Sequence, residues 1–259
     1  MKKQKPLVTI LVINFNNSKF INECINSLKS QTYHNIEIIF FDDNSKDDSL
    51  VVIKKYDNIK IIENKSHSKF GSLNQINGFK RGFEQSNGEI IFLLDSDDYF
   101  SINKIDKIVN FFSINSNCNI VFDFPIIKKD GYDIPIKKKK FFKSYWGYIH
   151  PTSCISIRRE FLKKLFDEVI DNQFFNIWMD FRILLFSKYI DKYYAIDDHL
   201  TFYRQFDGNV SSKFNKFSKS WWRRRSEAHD YFFNFVKSNN LQIKKNLDFY
   251  ITKLVNKFL

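Results

Sequence analysis

Four short apolar runs set the limits on what this chain can become. Leu7 to Ile13, Ile36 to Phe41, Ile59 to Ile62 and Ile90 to Leu94 lack helical spacing, so each reads as a strand buried on both faces. Helix-spaced segments lie between them. Ile21, Cys24, Ile25 and Leu28 recur at i, i+3, i+4 and i+7, one apolar helix face. A helix bearing Leu50 and Ile53 and another from Ser72 to Gln85 follow, then a helix over Ile102 to Phe112 and a strand over Ile120 to Phe124. This βαβαβαβ alternation predicts an α/β fold with a mostly parallel central sheet flanked by helices. In such sheets ligands bind outside the carboxyl ends of the strands. Two of those ends are acidic: Asp42-Asp43 closes the second strand and Asp95-Ser96-Asp97-Asp98 the fourth.

Three carboxylates in four residues repel one another, and a divalent cation with oxygen ligands relieves that repulsion. A cation held there would in turn neutralise a diphosphate. An acidic turn capping the next helix explains an isolated cluster equally well, but two clusters on strand ends favour a metal–nucleotide site. No GxGxxG follows the first strand, which disfavours a dinucleotide-dependent dehydrogenase.

Downstream, Thr152 to Ile157 alternates like a strand, Glu160 to Phe166 and Met179 to Ile190 read as helices, and Tyr193 to Ile196 and Leu200 to Tyr203 as short strands. Lys137 to Lys140 reads as a solvated loop, and two helices are expected from Lys216 onward. The net charge of +12 is unevenly spread. Residues 1–100 carry 13 basic and 13 acidic side chains, residues 101–212 carry 17 and 13, and residues 213–259 carry 11 and 3. A role for positive charge therefore belongs to the C-terminal part. Cys24, Cys118 and Cys154 are far apart with no CxxC pair, which suits a reducing compartment better than a disulfide framework or a zinc site. Met1-Lys2-Lys3 before Leu7 superficially resembles a secretory leader, but the short run ends in Asn14, Asn16 and Asn17 without a small-residue cleavage site.

Three stretches together resemble the family 2 glycosyltransferases, whose fold is the nucleotide-sugar-binding GT-A type. They are Thr9 to Asn16, Phe41-Asp42-Asp43-Asn44-Ser45, and Gly88 to Asp98. The likeness is strong over about residues 6–110 and weaker to about 210. It implies a glycosyltransferase domain over 1–212, with 1–125 as the nucleotide-sugar-binding half and 126–212 as the acceptor-side half, and a basic aromatic helical extension over 213–259.

By position, the resemblance places Phe15 against the nucleotide base and Asp43 on that base, most often uracil. Asp95 and Asp97 fall on the nucleotide, and Asp97 and Asp98 jointly hold Mn²⁺ or Mg²⁺ on the diphosphate. Phe15 as one core aromatic among 30 Phe, and Asp43 as a helix cap, stay open. In Trp178-Met179-Asp180-Phe181-Arg182, Asp180 matches the catalytic base, with Met179 where the family often has an acid. An N-cap role for Asp180 stays open, and Asp167, Glu168 and Asp171 are alternatives. His150 and Trp178 fall on the acceptor side. Arg204 keeps its place facing phosphate, while Phe206 replaces the family's histidine and leaves Asp207 as the residue that would substitute. The stretch from Gly71 to Gly82 lacks the family's Arg-Asn pattern, leaving one diphosphate contact unassigned.

The implied reaction is an inverting transfer from a nucleotide-sugar donor, UDP most often, to a glycan or lipid-linked acceptor in bacterial surface polysaccharide synthesis. A cytoplasmic enzyme at the inner face of the plasma membrane is the implied setting. Trp221-Trp222-Arg223-Arg224-Arg225, with Tyr231, Phe232, Phe233 and Phe235, suits contact with anionic membrane, and equally suits packing on the catalytic domain. A two-metal nucleotidyl or phosphoryl transferase would also use clustered aspartates. A non-catalytic nucleic-acid-binding protein would use the basic end, but acidic strand ends in a charge-balanced half argue against nucleic acid as a partner.

Overall fold

The computed structural model describes residues 5–136, 144–169, 173–206 and 214–259. The Lys137–Lys140 run, Asp171 and Asp207 lie outside them, as does the 212/213 boundary.

Strands β1 (Val8–Asn14), β2 (Ile36–Asp42), β3 (Ile59–Glu63) and β4 (Ile90–Asp95) alternate with helices α1 (Ser18–Lys29), α2 (Ser49–Ile53) and α3 (Gly71–Glu84). They pair in parallel in the order β3-β2-β1-β4. The chain thus winds outward from β1 to β3 and returns to β1's other side for β4. In open α/β sheets such a reversal, here between β1 and β4, marks the ligand-binding crevice outside the carboxyl ends of the strands. The apolar runs are continuous because both faces are covered. Leu11, Ile13, Ile39, Phe41, Ile91 and Leu93 face one core with α3, and Val8, Ile10, Val12, Ile38, Phe40, Ile90, Phe92 and Leu94 face the other with α1. Gly88 has no room for a side chain: a Cβ there would lie 2.4 Å from the Thr9 backbone nitrogen.

Beyond β4 the sheet becomes mixed. Strand β5 (Tyr99–Phe100), helix α4 (Lys104–Ile114), β6 (Ile120–Lys129) and β7 (Tyr132–Pro135) precede a 3₁₀ turn at Thr152–Cys154, followed by β8 (Ile155–Arg158), α5 (Arg159–Val169), α6 (Met179–Tyr189) and β9 (Tyr194–Arg204). β8 runs antiparallel between β4 and β6, β9 runs parallel to β6, and β5 closes the far edge on β9.

Several expectations change here. The strand expected over Thr152–Ile157 starts only at Ile155, because the 3₁₀ turn takes its first half. The two short strands expected near Tyr193 and Leu200 are one strand whose register against β6 slips, so that Phe122 faces Ala195 but Phe124 faces His199. β5 and β7 have too few residues to show a period.

Helices α7 (Lys219–Ser238) and α8 (Leu247–Lys257) complete the described fold. Ala228, Tyr231, Phe232, Phe235 and Val236 of α7 are buried in the same core as α3, α5 and α6. Tyr231, Phe232 and Phe235 therefore pack on the preceding α/β body, and packing was one of the two readings the sequence left open. No helix among the described residues is long and apolar enough to cross a membrane.

Candidate active site

The site begins with Asn14, the polar residue that ends the buried strand β1. It is fully buried and joins the two acidic loops: its Nδ2 donates to Asp42 Oδ1 at 2.8 Å, and its Oδ1 accepts from the Ser96 hydroxyl at 2.7 Å. Asp42 is spent on the turn, since Ser45 donates its hydroxyl to Oδ1 at 2.6 Å and its backbone N–H to Oδ2 at 2.9 Å. The turn also needs left-handed backbone at Asn16 (φ 52°) and Asn44 (φ 60°), which asparagine tolerates better than most residues. With Asp42 consumed, Asp43 is the carboxylate left for other work. Its Oδ1 accepts from Asn64 Nδ2 at 2.7 Å and its Oδ2 meets His67 Nδ1 at 2.5 Å.

Phe15 is half-exposed and lies under the His67 ring, centroids 3.9 Å apart and planes 8° from parallel. An aromatic face and a neighbouring carboxylate are thus arranged to hold a flat, hydrogen-bonding heterocycle. His67 is the ring that presently uses both. No spacing rule singles it out in the sequence.

On the other side of Asn14, the Asp95–Asp98 loop is held from below. Ser153 Oγ accepts from the Asp95 N–H at 3.1 Å and donates to Asp98 Oδ2 at 2.6 Å, while the Arg204 N–H donates to Asp98 Oδ1 at 2.9 Å. Both oxygens of buried Asp98 are therefore engaged by the protein. Burial, then the charges of Asp97 and Asp95, push its carboxyl well above the ordinary range. Gln75 Nε2 donates to Asp95 Oδ1 at 2.9 Å, from the α3 stretch that lacks the family's Arg-Asn pattern.

Burial, Asp97 and Asp180 raise Asp95 to about 7. Burial raises Asp97 to about 6, against its own backbone N–H and the charge of Arg204. Of the paired aspartates, Asp97 is partly exposed, whereas Asp98 is fully buried. The Arg204 guanidinium donates to the Asp97 carbonyl and to Glu23, packed over Phe20 and Tyr99. It fastens the loop as much as it faces the crevice.

Beneath Ser153 lies a fully buried ion pair. Lys104 Nζ uses its three protons on Asp123 Oδ1 (2.7 Å), the Ser153 carbonyl (2.7 Å) and Thr201 Oγ1 (2.6 Å). The Thr201 hydroxyl in turn donates to Asp123 Oδ2 at 2.7 Å. Nothing in the sequence marks Lys104, an unremarked cation on an amphipathic helix.

The segment expected on the acceptor side consists of the 173–178 loop and α6. Trp178 occupies the N-cap position and Asp180 the first turn, where its Oδ1 accepts from the Phe181 N–H at 2.6 Å. Asp180 is therefore not the N-cap. Arg182, fully buried, donates to the carbonyls of Ile177 (3.1 Å) and Phe174 (3.2 Å) and so clasps the loop that presents Asp180. Trp178 packs on the start of α3, its Cη2 3.0 Å from where a Cβ on Gly71 would stand. Phe175 stacks on Phe70 at 4.0 Å. From α7, Glu227 accepts from the Asn176 N–H and side-chain amide at 2.9 and 2.6 Å.

Burial raises the Asp180 carboxyl above its usual value, partly offset by the positive charge of Arg224. Helix α3 links the two loops: Ser72 donates to the Phe175 carbonyl at 2.5 Å, in the loop before Asp180, and Gln75 reaches Asp95.

His150 does not join them. It is fully buried, its Nδ1 against the Asp123 carbonyl at 2.8 Å and its Nε2 against the Tyr193 hydroxyl at 2.7 Å, and burial lowers it to about 4. Both nitrogens are used inside the protein, so the acceptor-side expectation for His150 gives way to a structural one. Asp167 and Glu168 lie on α5, where Asp167 is exposed.

Among the described residues no three His, Cys, Asp or Glu side chains converge to hold a metal by themselves. The donor set nonetheless fits a hard divalent cation that shares substrate phosphates, which needs only one or two carboxylates. Two partly buried, mutually repelling carboxylates with raised proton affinity are a place where such a cation is stabilising.

Comparison with known proteins agrees with this geometry. The glycosyl transferase family 2 model matches residues 9–185. The Escherichia coli UDP-Glc:α-D-GlcNAc-diphosphoundecaprenol β-1,3-glucosyltransferase is 31% identical over 221 residues, 82% of either chain. An uncharacterised glycosyltransferase of Nostoc is 29% identical across 76% of this chain, which spans 64% of that protein's length. Among solved structures, Staphylococcus aureus TarS with UDP-GlcNAc superposes with a TM-score of 0.64 at 17% identity, covering 88% of this chain and 67% of that one. The Pyrobaculum calidifontis mannosyltransferase with GDP-Man and Mn²⁺ gives 0.58 at 13% identity, covering 98% and 70%. With the crevice, its acidic loops and the matched family model in agreement, the chain belongs to glycosyl transferase family 2 and carries a GT-A-type fold.

Proposed function

We propose that this glycosyltransferase moves a sugar from a UDP-sugar to a hydroxyl of a lipid-linked glycan, with inversion at the anomeric carbon and a divalent cation on the diphosphate. What supports the reading is the pair of acidic strand ends, Asp42-Asp43 and Asp95–Asp98, joined through Asn14, with the loop before Asp180 fastened to α3 beside them. Phe15 and Asp43 take the uracil, by stacking and by a hydrogen bond to the charged carboxylate. Asp97, with Asp95 beside it, would hold the cation together with diphosphate oxygens, and Asp98 keeps their loop in place through Ser153 and Arg204. The cation, when bound, supplies positive charge to the departing nucleotide.

Asp180 takes the proton from the acceptor hydroxyl as that oxygen attacks the face opposite the diphosphate. Its raised proton affinity makes it the stronger base. Trp178, on the rim beside α3, shields the sugar side of the crevice. The acceptor class follows relatives whose names specify diphosphoundecaprenol-linked sugars.

The base-binding half has a direct test, because uracil and the His67 ring compete for the same stack and the same carboxylate. His67→Ala should tighten UDP binding in calorimetry with Mn²⁺ by about tenfold, equivalent to roughly 1.4 kcal/mol. Phe15→Ala should weaken it. Weaker binding by the His67 variant would mean that the imidazole contacts the bound nucleotide instead of excluding it.

A further inference from the structure

The C-terminal helix is amphipathic in an unusual sense, since it buries its more polar side. Phe249, Thr252 and Asn256 face α7: Phe249 meets Phe233 edge-on at 5.1 Å, buried Thr252 lies between, and Asn256 Nδ2 donates to the Trp222 carbonyl at 3.0 Å. Ion pairs fasten the same side, Arg225 to Asp248 (2.6 Å) and Lys253 to Asp230 (2.6 Å). The opposite side presents Leu247, Tyr250, Ile251, Leu254 and Phe258, spaced i, i+3, i+4, i+7 and i+11. All are exposed, from 44% for Ile251 to 84% for Phe258. Five large apolar side chains aligned along one helix face are an interaction surface, not scattered surface hydrophobics.

The surrounding charge says what fits that surface. Asp248 is the one carboxylate of α8 and is held inward by Arg225. Lys244, Lys245 and Lys257 flank the face and are exposed. The Asn256–Trp222 bond sets the helix's far end beside the start of α7, where Lys216, Lys219 and Arg223 are exposed. Residues 213–259 carry 11 basic and 3 acidic side chains. Two copies meeting through this face would bring like charges together, whereas an anionic lipid surface attracts the rim and receives the apolar ridge.

We propose that α8 docks the protein on an anionic bilayer, lying in the headgroup plane with Leu247, Tyr250, Ile251, Leu254 and Phe258 inserted. This narrows the membrane contact expected over 213–259 to α8. Tyr231, Phe232 and Phe235 belong to the core, and the ridge on α8 takes their place.

Flotation of the full chain with phosphatidylcholine vesicles, with and without phosphatidylglycerol, tests this. The protein should float with the phosphatidylglycerol vesicles at low salt and bind plain vesicles at least about tenfold more weakly. Leu254→Gln with Phe258→Gln removes apolar surface without changing charge, and should lower binding to the anionic vesicles by at least about tenfold. Circular dichroism and UDP binding should be unaltered, because both side chains are exposed and neither is among the residues assigned to the crevice.

Equal flotation by the double variant would overturn the proposal. So would a wild-type protein that ignores vesicles and instead dimerises in sedimentation through the same two residues. The test contains no sugar donor or acceptor, so its failure would leave the transfer reading intact.

Discussion

Asp180→Asn should lower kcat by about 10²–10⁴-fold, the usual contribution of a positioned general base, and leave the Kd for UDP unchanged. The substitution keeps the shape of the side chain and its acceptor oxygen for the Phe181 N–H, so the first turn of α6 stays intact. Only the capacity to accept a proton is lost. The base works ionised, so wild-type kcat should fall as pH drops through the Asp180 pKa. Burial places that acid limb above the ordinary carboxylate range. The variant should lose this limb while UDP binding stays on the wild-type curve. Steady-state rates from pH 5 to 8, beside calorimetry, separate the two effects. Near-normal turnover by the variant would move the base elsewhere, with Asp95 the next carboxylate at the crevice.

The second large effect is on stability. Lys104→Met should destabilise the fold by about 3–5 kcal/mol, because it leaves Asp123 charged, buried and unpaired. At roughly 2–4 °C per kcal/mol for a chain of this size, the midpoint should drop by roughly 6–20 °C. Burial already raises the Asp123 carboxyl despite the lysine beside it, so desolvation is the dominant cost at this position. Lys104→Met combined with Asp123→Leu removes both charges and should recover most of the loss. The ion pair also holds Ser153 through its carbonyl, and Ser153 bridges Asp95 and Asp98. The single variant should therefore weaken UDP–Mn²⁺ binding even at temperatures where it is folded. Thermal unfolding and calorimetry on the single and double variants read both.

These two residues mark how far the sequence can be read. Asp180 was singled out because Trp178 to Arg182 resembles the family's base segment, and its role as base is the proposal that the Asp180 variant tests. The first four strands were legible because runs buried on both faces have few alternatives, and Asn14, Asp43 and Asp95 sit at their ends for the same reason. Lys104 was not legible. Its three partners come from β6, the Ser153 turn and β9, and no local spacing records a contact that the fold makes across 97 residues.

His67 was hidden for the opposite reason. It follows β3 in a polar loop, and its significance lies in a stack with Phe15 that only the parallel β1–β2–β3 order creates. His150 shows the reverse error: its motif placed it at the acceptor, and burial with two internal hydrogen bonds took it out. The basic C-terminal stretch was legible as charge, but not as structure. Its aromatics divide between a buried helix that braces the 173–178 loop through Glu227 and a second helix with an outward apolar ridge.

The stereochemistry of transfer tests the central claim most directly. A single base acting opposite the diphosphate requires one displacement, and therefore inversion. With an α-linked donor such as UDP-glucose, Mn²⁺ and a diphospholipid-linked N-acetylhexosamine acceptor, proton NMR of the first product formed should show a β-glycosidic linkage. An α-linked product would contradict the assignment of Asp180 as a base acting across the crevice from the Asp95–Asp98 loop.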